Sequence, residues 1–290
     1  MTAHKLVARG FGRLEAPTVL SADRLLVSDV TRGGVYEVDL SNGERRTIVP
    51  HRKGVGGLCR HAQGLVVTGR NVSLRRNDGT SETLMEPDAS RGVKGFNDVA
   101  VDKAGRIFVG ALCFRVADGW DSAKPGILYR IDLDGSVGIV DDDLLLPNGM
   151  AFSPDERTFY QSDSLRRVVW SYPVDSAGRF GARKLFANIP EGLTDGMAVA
   201  QDGSLLVAVA YAGLVLWFEP DGRLRERMEF ASPMVTSVCF SVDRPSPALF
   251  VTTGPEDADP QLGGAIFELP AAVHGAVKHV ARVVPRPTAA

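Results

Sequence analysis

The feature that most limits how this chain can fold is a recurrence. A turn followed by a short apolar strand ending in Gly, Ser, Asp or Thr appears as SADRLLVSD (21–29), HAQGLVVTG (61–69) and DKAGRIFVG (102–110). It returns as SPDERTFYQSD (153–163), QDGSLLVAVA (201–210) and SVDRPSPALFVTTG (241–254). Anchored on Leu25, Leu65, Ile107, Phe159, Leu205 and Leu249, the units are spaced by 40, 42, 52, 46 and 44 residues, and six of them account for all 290 positions. After most anchors comes a second strand and an Asn-Gly or Asp-Gly turn, as in VYEVDLSNGERRTIV (35–49), ILYRIDLDGSVGIV (127–140) and VLWFEPDGRLRERM (215–228). Such turns between apolar strands are hairpin signals. Periods of about 40 to 50 residues holding several short strands are the mark of propeller blades. Helical patterning with caps is almost absent, and neither a pair of β-sandwiches nor a β-helix explains six units of this length. The expectation is an all-β fold: a six-bladed β-propeller with four-stranded antiparallel blades around a central channel, forming one domain over residues 1–290. The N-terminal segment is expected to complete the last blade, because closing the ring removes an exposed sheet edge.

Composition narrows the class. Hydrophobic residues at 44% and charged residues at 23% are those of a globular protein. A net charge of −2 gives no electrostatic case for nucleic acid or an anionic membrane. The first residues, MTAHKLVARGFG, lack a signal-peptide apolar core, and no apolar run nears the roughly 20 residues of a membrane span. Cys59, Cys113 and Cys239 are far apart in apolar surroundings and show no paired metal-ligand spacing, which reads as three buried free thiols and a cytoplasmic location.

Register then picks out candidate chemistry. In each unit the strand before the anchor is apolar and should line the channel. Counting back ten residues from each anchor, with allowance for longer turns, gives Glu15, Val55, Asn97, Asn148, Asp195 and Thr236, of which five are polar. Equivalent positions of a propeller converge at one mouth of its channel, so Glu15, Asn97, Asn148 and Asp195 should meet there. Two carboxylates and two amide oxygens make a hard-oxygen set suited to Ca²⁺, Mg²⁺ or Mn²⁺ and, less well, to Zn²⁺. The competing readings are strand-end capping with axial water, which suits an isolated amide better than four residues in one register, and a structural calcium without catalysis.

At these motifs the chain resembles the gluconolactonase and regucalcin (senescence marker protein) family of six-bladed propeller lactonases. The resemblance rests on FND (96–98), PNGMAFSPD (147–155) with YQSDS (160–164), TDGMAVAQDG (194–203), and VTSVCF (235–240) with LFVTTG (249–254). It implies a divalent cation, most readily Ca²⁺, held by Glu15, Asn148 and Asp195. It also implies hydrolysis of a lactone or related small cyclic ester, with Asn97 contacting water or substrate. Asp195 is then the candidate base as well as a ligand. The alternatives are another hydrolysis, such as of a phosphotriester, a rearrangement of a small metabolite, or a calcium- or ligand-binding propeller without turnover. The partner in any catalytic case is a small molecule. The sequence departs from the family pattern twice. Leu14-Glu15-Ala16-Pro17 replaces Gly-Glu-Gly/Ser-Pro, and Gly95 stands where sugar-lactone hydrolases often carry an Arg.

Further residues receive expectations of their own. Asp98 should point away from Asn97, to the other face of the strand, and bond a neighbouring loop. Asp163 is expected to orient a ligand from behind. The histidines at 4, 51, 61, 274 and 279 match no motif position and read as surface or structural. DDDLLLP (141–147) reads as a solvated turn before a strand. The loop CFRVADGWDSAKPG (113–126), with Phe114, Arg115 and Trp120, reads either as an aromatic lid or as a packed surface loop.

Overall fold

The structure is a computed structural model and describes residues 4–255 and 263–285. It forms six four-stranded antiparallel sheets. The first strands of the sheets in ring order are Leu14–Ser21, Leu58–His61, Gly95–Val101, Pro147–Phe152, Leu193–Val199 and Val235–Phe240. Each contacts the next, and the sixth contacts the first, so these strands line a closed ring. The protein is therefore a six-bladed β-propeller. Blade six takes three strands from the C-terminal part of the chain and its outermost strand, Lys5–Phe11, from the N-terminus, through pairing with Gly264–Pro270. Among the described residues the helical elements are three short 3-10 turns, Ala89–Arg91, Val116–Asp118 and Trp120–Ser122.

Each blade packs on its two neighbours, and six hydrophobic clusters form, one between every adjacent pair of blades. This explains why strands such as Leu205–Ala210 and Leu214–Phe218 are apolar and buried throughout rather than alternating: both faces of the blade are covered.

Polar stitches join the blades at the mouth where the first strands begin. Ser28 Oγ donates to the Val55 carbonyl (2.7 Å), Ser162 Oγ to the Asp195 carbonyl (2.8 Å), and Thr236 Oγ1 to the Leu14 carbonyl (2.5 Å). The last bond closes the ring between blades six and one.

The opposite end of the channel is crossed by the C-terminal segment. Gln201 N donates to the His274 carbonyl (2.8 Å) and Ala276 N to the Val199 carbonyl (2.9 Å), beneath blade five. Farther on, Ala281 N donates to the Arg60 carbonyl of blade two (2.8 Å) and Arg282 N to the Gly105 carbonyl of blade three (2.9 Å).

The 141–147 stretch corrects the sequence reading. Its first residues belong to the strand Val137–Leu144, not to a solvated turn. Asp141 accepts from Tyr172 Oη (2.7 Å) and Arg183 (2.9 Å), while Asp143 pairs with Arg166 and Arg183. The acidic run faces basic partners supplied by blade four, which a local sequence pattern does not reveal.

Candidate functional site

The polar ring is delivered by β-bulges. In blade three Phe96 pairs with Ala111 and Val99 with Val109, so Asn97 and Asp98 together face Gly110. In blade four Asn148 and Gly149 face Ser162, and in blade five Asp195 and Gly196 face Ala208. Blade one has its bulge one step later, at Ala16 and Pro17. A bulge breaks the alternation of side chains and re-aims them, a device common beside binding sites. Glycine follows Asn148 for a steric reason: a Cβ there would collide with the Asp195 carbonyl of the next blade.

These elements bring Asn97, Asn148 and Asp195 together. Asn97 Nδ2 donates to the Pro147 carbonyl (3.1 Å), one residue before Asn148. The Asn148 side chain acts on the Asp195 carboxyl and favours its charged form. Asp195 is buried, and among the described residues its Oδ1 has no hydrogen-bond partner. Burial, and next the charge of Asp98, push its carboxyl up to about 8, against the pull of Arg13, Asn148 and the Gly196 N–H. Glu15 is half-buried at the equivalent place in blade one, where its carbonyl accepts from Ser28 Oγ (3.2 Å). The residue after it, Ala16, has φ of 52°, a left-handed conformation better suited to the Gly of the family pattern. Val55 and Thr236 complete the ring as structural members, each buried and engaged in an inter-blade stitch.

Asp98 is where the sequence reading fails. Among the described residues it bonds no neighbouring loop: its Oδ1 accepts from the adjacent Val99 N (2.7 Å), and its charge acts on Asp195. Burial pushes its own carboxyl up to about 6. Alternation would have sent it to the far face, but the bulge turns it in with Asn97. Arg13 was also missed. It lies two residues before Glu15, as Gly95 lies two before Asn97, and extending the register count by one step would have flagged it.

Asp163 is fully buried and anchors backbone rather than a ligand side chain. Its Oδ1 accepts from Leu145 N (3.0 Å) and Leu146 N (3.3 Å), and its Oδ2 from Arg166 (2.7 Å) and Trp170 Nε1 (3.3 Å). It thereby fixes the segment that leads into Asn148. Asp29 does the same in blade one, accepting from Gly12 N (2.6 Å) and Arg32 N (2.8 Å).

The remaining expectations divide. His61 is buried, with Nε2 2.9 Å from the Val283 carbonyl, and His279 lies 2.9 Å from Glu156, so both serve the C-terminal crossing. His4 stacks on Phe230. The three cysteines are free and buried. In the 113–126 loop Phe114 is buried and meets Trp120 edge-on at 6.5 Å, so the loop is anchored by its own aromatic pair, while Trp120 stays exposed.

Gly95 leaves little room for a side chain. A Cβ there would sit 3.0 Å from the Gly69 carbonyl of blade two, which also accepts from Phe96 N (2.7 Å). Gly95→Arg is therefore expected to destabilise the fold by about 1–3 kcal/mol. Chemical denaturation checks this; an unchanged midpoint would show that the Gly69 strand yields freely.

A buried carboxylate oxygen without a partner, beside a second carboxyl and two amides, is a donor set that fits a hard divalent cation. Among the described residues no three His, Cys, Asp or Glu side chains cluster as metal ligands; the donors meeting here mix carboxyl with amide oxygens.

A six-bladed propeller with a carboxyl and amide ring at one mouth defines a family, and comparison with known proteins agrees. The SMP-30/Gluconolactonase/LRE-like region matches residues 14–254. The chain belongs to that family. It is 35% identical over 193 residues to a pentonolactonase of Haloferax volcanii, an alignment spanning 62% of this chain and 64% of that protein. It is 30% identical to a 6-deoxy-6-sulfogluconolactonase of Pseudomonas putida, over 83% of this chain and 84% of the relative. Among solved structures, a luciferin-regenerating enzyme superposes with a TM-score of 0.86 at 18% identity, covering 98% of this chain and all of that one. At that identity the likeness is one of fold. Among the described residues no helix is long and apolar enough to cross a membrane.

Proposed function

We propose that this protein is a hydrolase that opens a lactone or related small cyclic ester, using one divalent cation at the ring. The observation that carries the reading is the buried, unpartnered Oδ1 of Asp195 beside Asn148 and Asp98. Glu15, Asn148 and Asp195 would hold the cation. Ca²⁺ suits these oxygens best, with Mg²⁺, Mn²⁺ and Zn²⁺ as alternatives. Once bound, the cation would polarise the ester carbonyl and favour the ionised form of the acidic side chains.

The chain's own residues supply the rest. Asp195, with one oxygen left for water, would take a proton as water attacks the carbonyl carbon and return it to the ring oxygen as the acyl C–O bond breaks. The Oδ1 of Asn97 would orient that water or the substrate, since its Nδ2 is engaged by Pro147. Arg13, whose charge reaches Asp195, would grip the polar end of the substrate from blade one, in place of the side chain missing at Gly95. The three buried free thiols suit a reducing cytoplasm. Relatives named as lactonases support the ester reading. A second reading, phosphotriester cleavage at the same ring, draws on 29% identity over 236 residues to a diisopropyl-fluorophosphatase of Loligo vulgaris.

The test is a panel of aldonolactones and simple alkyl lactones, assayed after chelation and after return of each cation. Ring opening should vanish on chelation and come back with Ca²⁺ or another divalent ion. Full activity in the chelated protein would remove the cation from the reading. Inactivity on every lactone, with turnover of a fluorophosphate triester, would favour the second reading.

A further inference from the structure

The C-terminal segment pairs first with blade five and later with blade two. In a ring of six, blades five and two are opposite, so the residues joining Ala276 to Ala281 must run along a diameter and pass beneath the axis. Five extended residues reach roughly 17 Å, enough for that crossing. Lys278 sits at the middle of this span. His279, next to it, is held to one side by Glu156 of blade four at 2.9 Å.

Electrostatics agree with a Lys278 placed beneath the channel. Its charge acts on Asp98 of blade three, on Cys59 of blade two and on Cys239 of blade six. Cys59 and Asp98 stand on adjacent blades and Cys239 on the blade opposite Asp98, so the ammonium is felt on both sides of the channel. Asp98 in turn acts on Asp195. Asp98, at the ring with Asn97, therefore feels both the Asp195 carboxyl and the Lys278 ammonium.

We infer that Lys278 is a charge-balancing residue of the ring site, set beneath it by the C-terminal crossing, which weakens the site's grip on a divalent cation. This rests on the proposal that the ring binds such a cation. The physical reasoning is direct. Two carboxyl groups enclosed together attract a dication strongly, and a fixed positive charge on the same axis repels it. The repulsion keeps the affinity moderate and leaves Asp98 partly compensated when no cation is bound. Lys278 is itself exposed, so solvent and salt screen its effect to a modest size.

The experiment is calorimetric titration of the full-length protein with Ca²⁺ alone. Lys278 is exposed, and the crossing is held by backbone bonds and by the side chains of His61 and His279, so substitution at 278 should leave the fold intact. Lys278→Met should tighten Ca²⁺ binding about threefold to tenfold, and Lys278→Glu further. Lys278→Arg, which keeps the charge, should bind as the natural protein does. Lys184→Met, an exposed lysine on the outer strand of blade four, should change nothing. The difference between Lys278→Met and the natural protein should shrink as salt is raised. Affinities of Lys278→Met and Lys278→Glu within twofold of the natural protein would overturn the inference while leaving the ring site standing. Ca²⁺ binding unaltered by Asp195→Asn would mean that the ion binds elsewhere, and would overturn both.

Discussion

Asp195→Asn is expected to lower lactone turnover by about 10²–10⁴-fold, and saturating Ca²⁺ should not restore it. The substitution keeps an oxygen that can face a cation but removes the charge and the basicity. Asp195 is buried with one oxygen unpartnered, whereas Glu15, only half-buried, is assigned coordination alone. Glu15→Gln and Asn148→Ala should therefore lose activity mainly through cation affinity and regain most of it at high Ca²⁺. Steady-state rates across a Ca²⁺ series separate the two behaviours. Equal rescue of Asp195→Asn and Glu15→Gln would place the base elsewhere, with Asp98 the next carboxyl on the axis.

The largest loss of stability is expected from Asp163→Ala, at about 3 kcal/mol. Its carboxylate is fully buried, satisfies the Leu145 and Leu146 N–H groups, and pairs with Arg166 and Trp170. Truncation would leave two backbone donors without their acceptor, each worth roughly 1–3 kcal/mol, and deprive Arg166 of one partner. Asp143 still holds Arg166, which limits the damage on that side. In thermal unfolding the change should lower Tm by roughly 6 °C or more. Asp142→Ala is the matched control. That side chain is 64% exposed and lies 3.8 Å from Arg91, so its loss should cost under about 0.5 kcal/mol. Because Asp163 fixes the segment leading into Asn148, the variant should also bind Ca²⁺ more weakly at temperatures where it is still folded. A Tm equal to that of Asp142→Ala would show that water replaces the carboxylate without cost.

How far the sequence carries a reader depends on which physical signal marks each element. The propeller was legible because a blade is one unit repeated six times, so turn chemistry and apolar runs recur with its period. The ring members Asn97, Asn148 and Asp195 were legible because equivalent positions of a closed ring converge whatever their distance in sequence. Asp98 was misread because alternation holds only in a regular strand, and the bulge opposite Gly110 suspends it. The 141–147 run was misread because Arg166 and Arg183, which neutralise it, come from blade four. The C-terminal crossing left no pattern to find. It carries no strand period, and much of its hold comes from backbone bonds to lower turns scattered from residue 60 to residue 201.

The most direct measurement is an anomalous difference map from crystals of the protein soaked in Mn²⁺, which scatters anomalously and takes oxygen ligands. One peak should lie at the ring mouth within coordinating distance of Asp195 Oδ1, the Asn148 side-chain oxygen and the Glu15 carboxylate, and it should be weaker in crystals of Asp195→Asn. A peak at another place in the molecule, or an undiminished peak in Asp195→Asn, would contradict the assignment of the ring as the cation site.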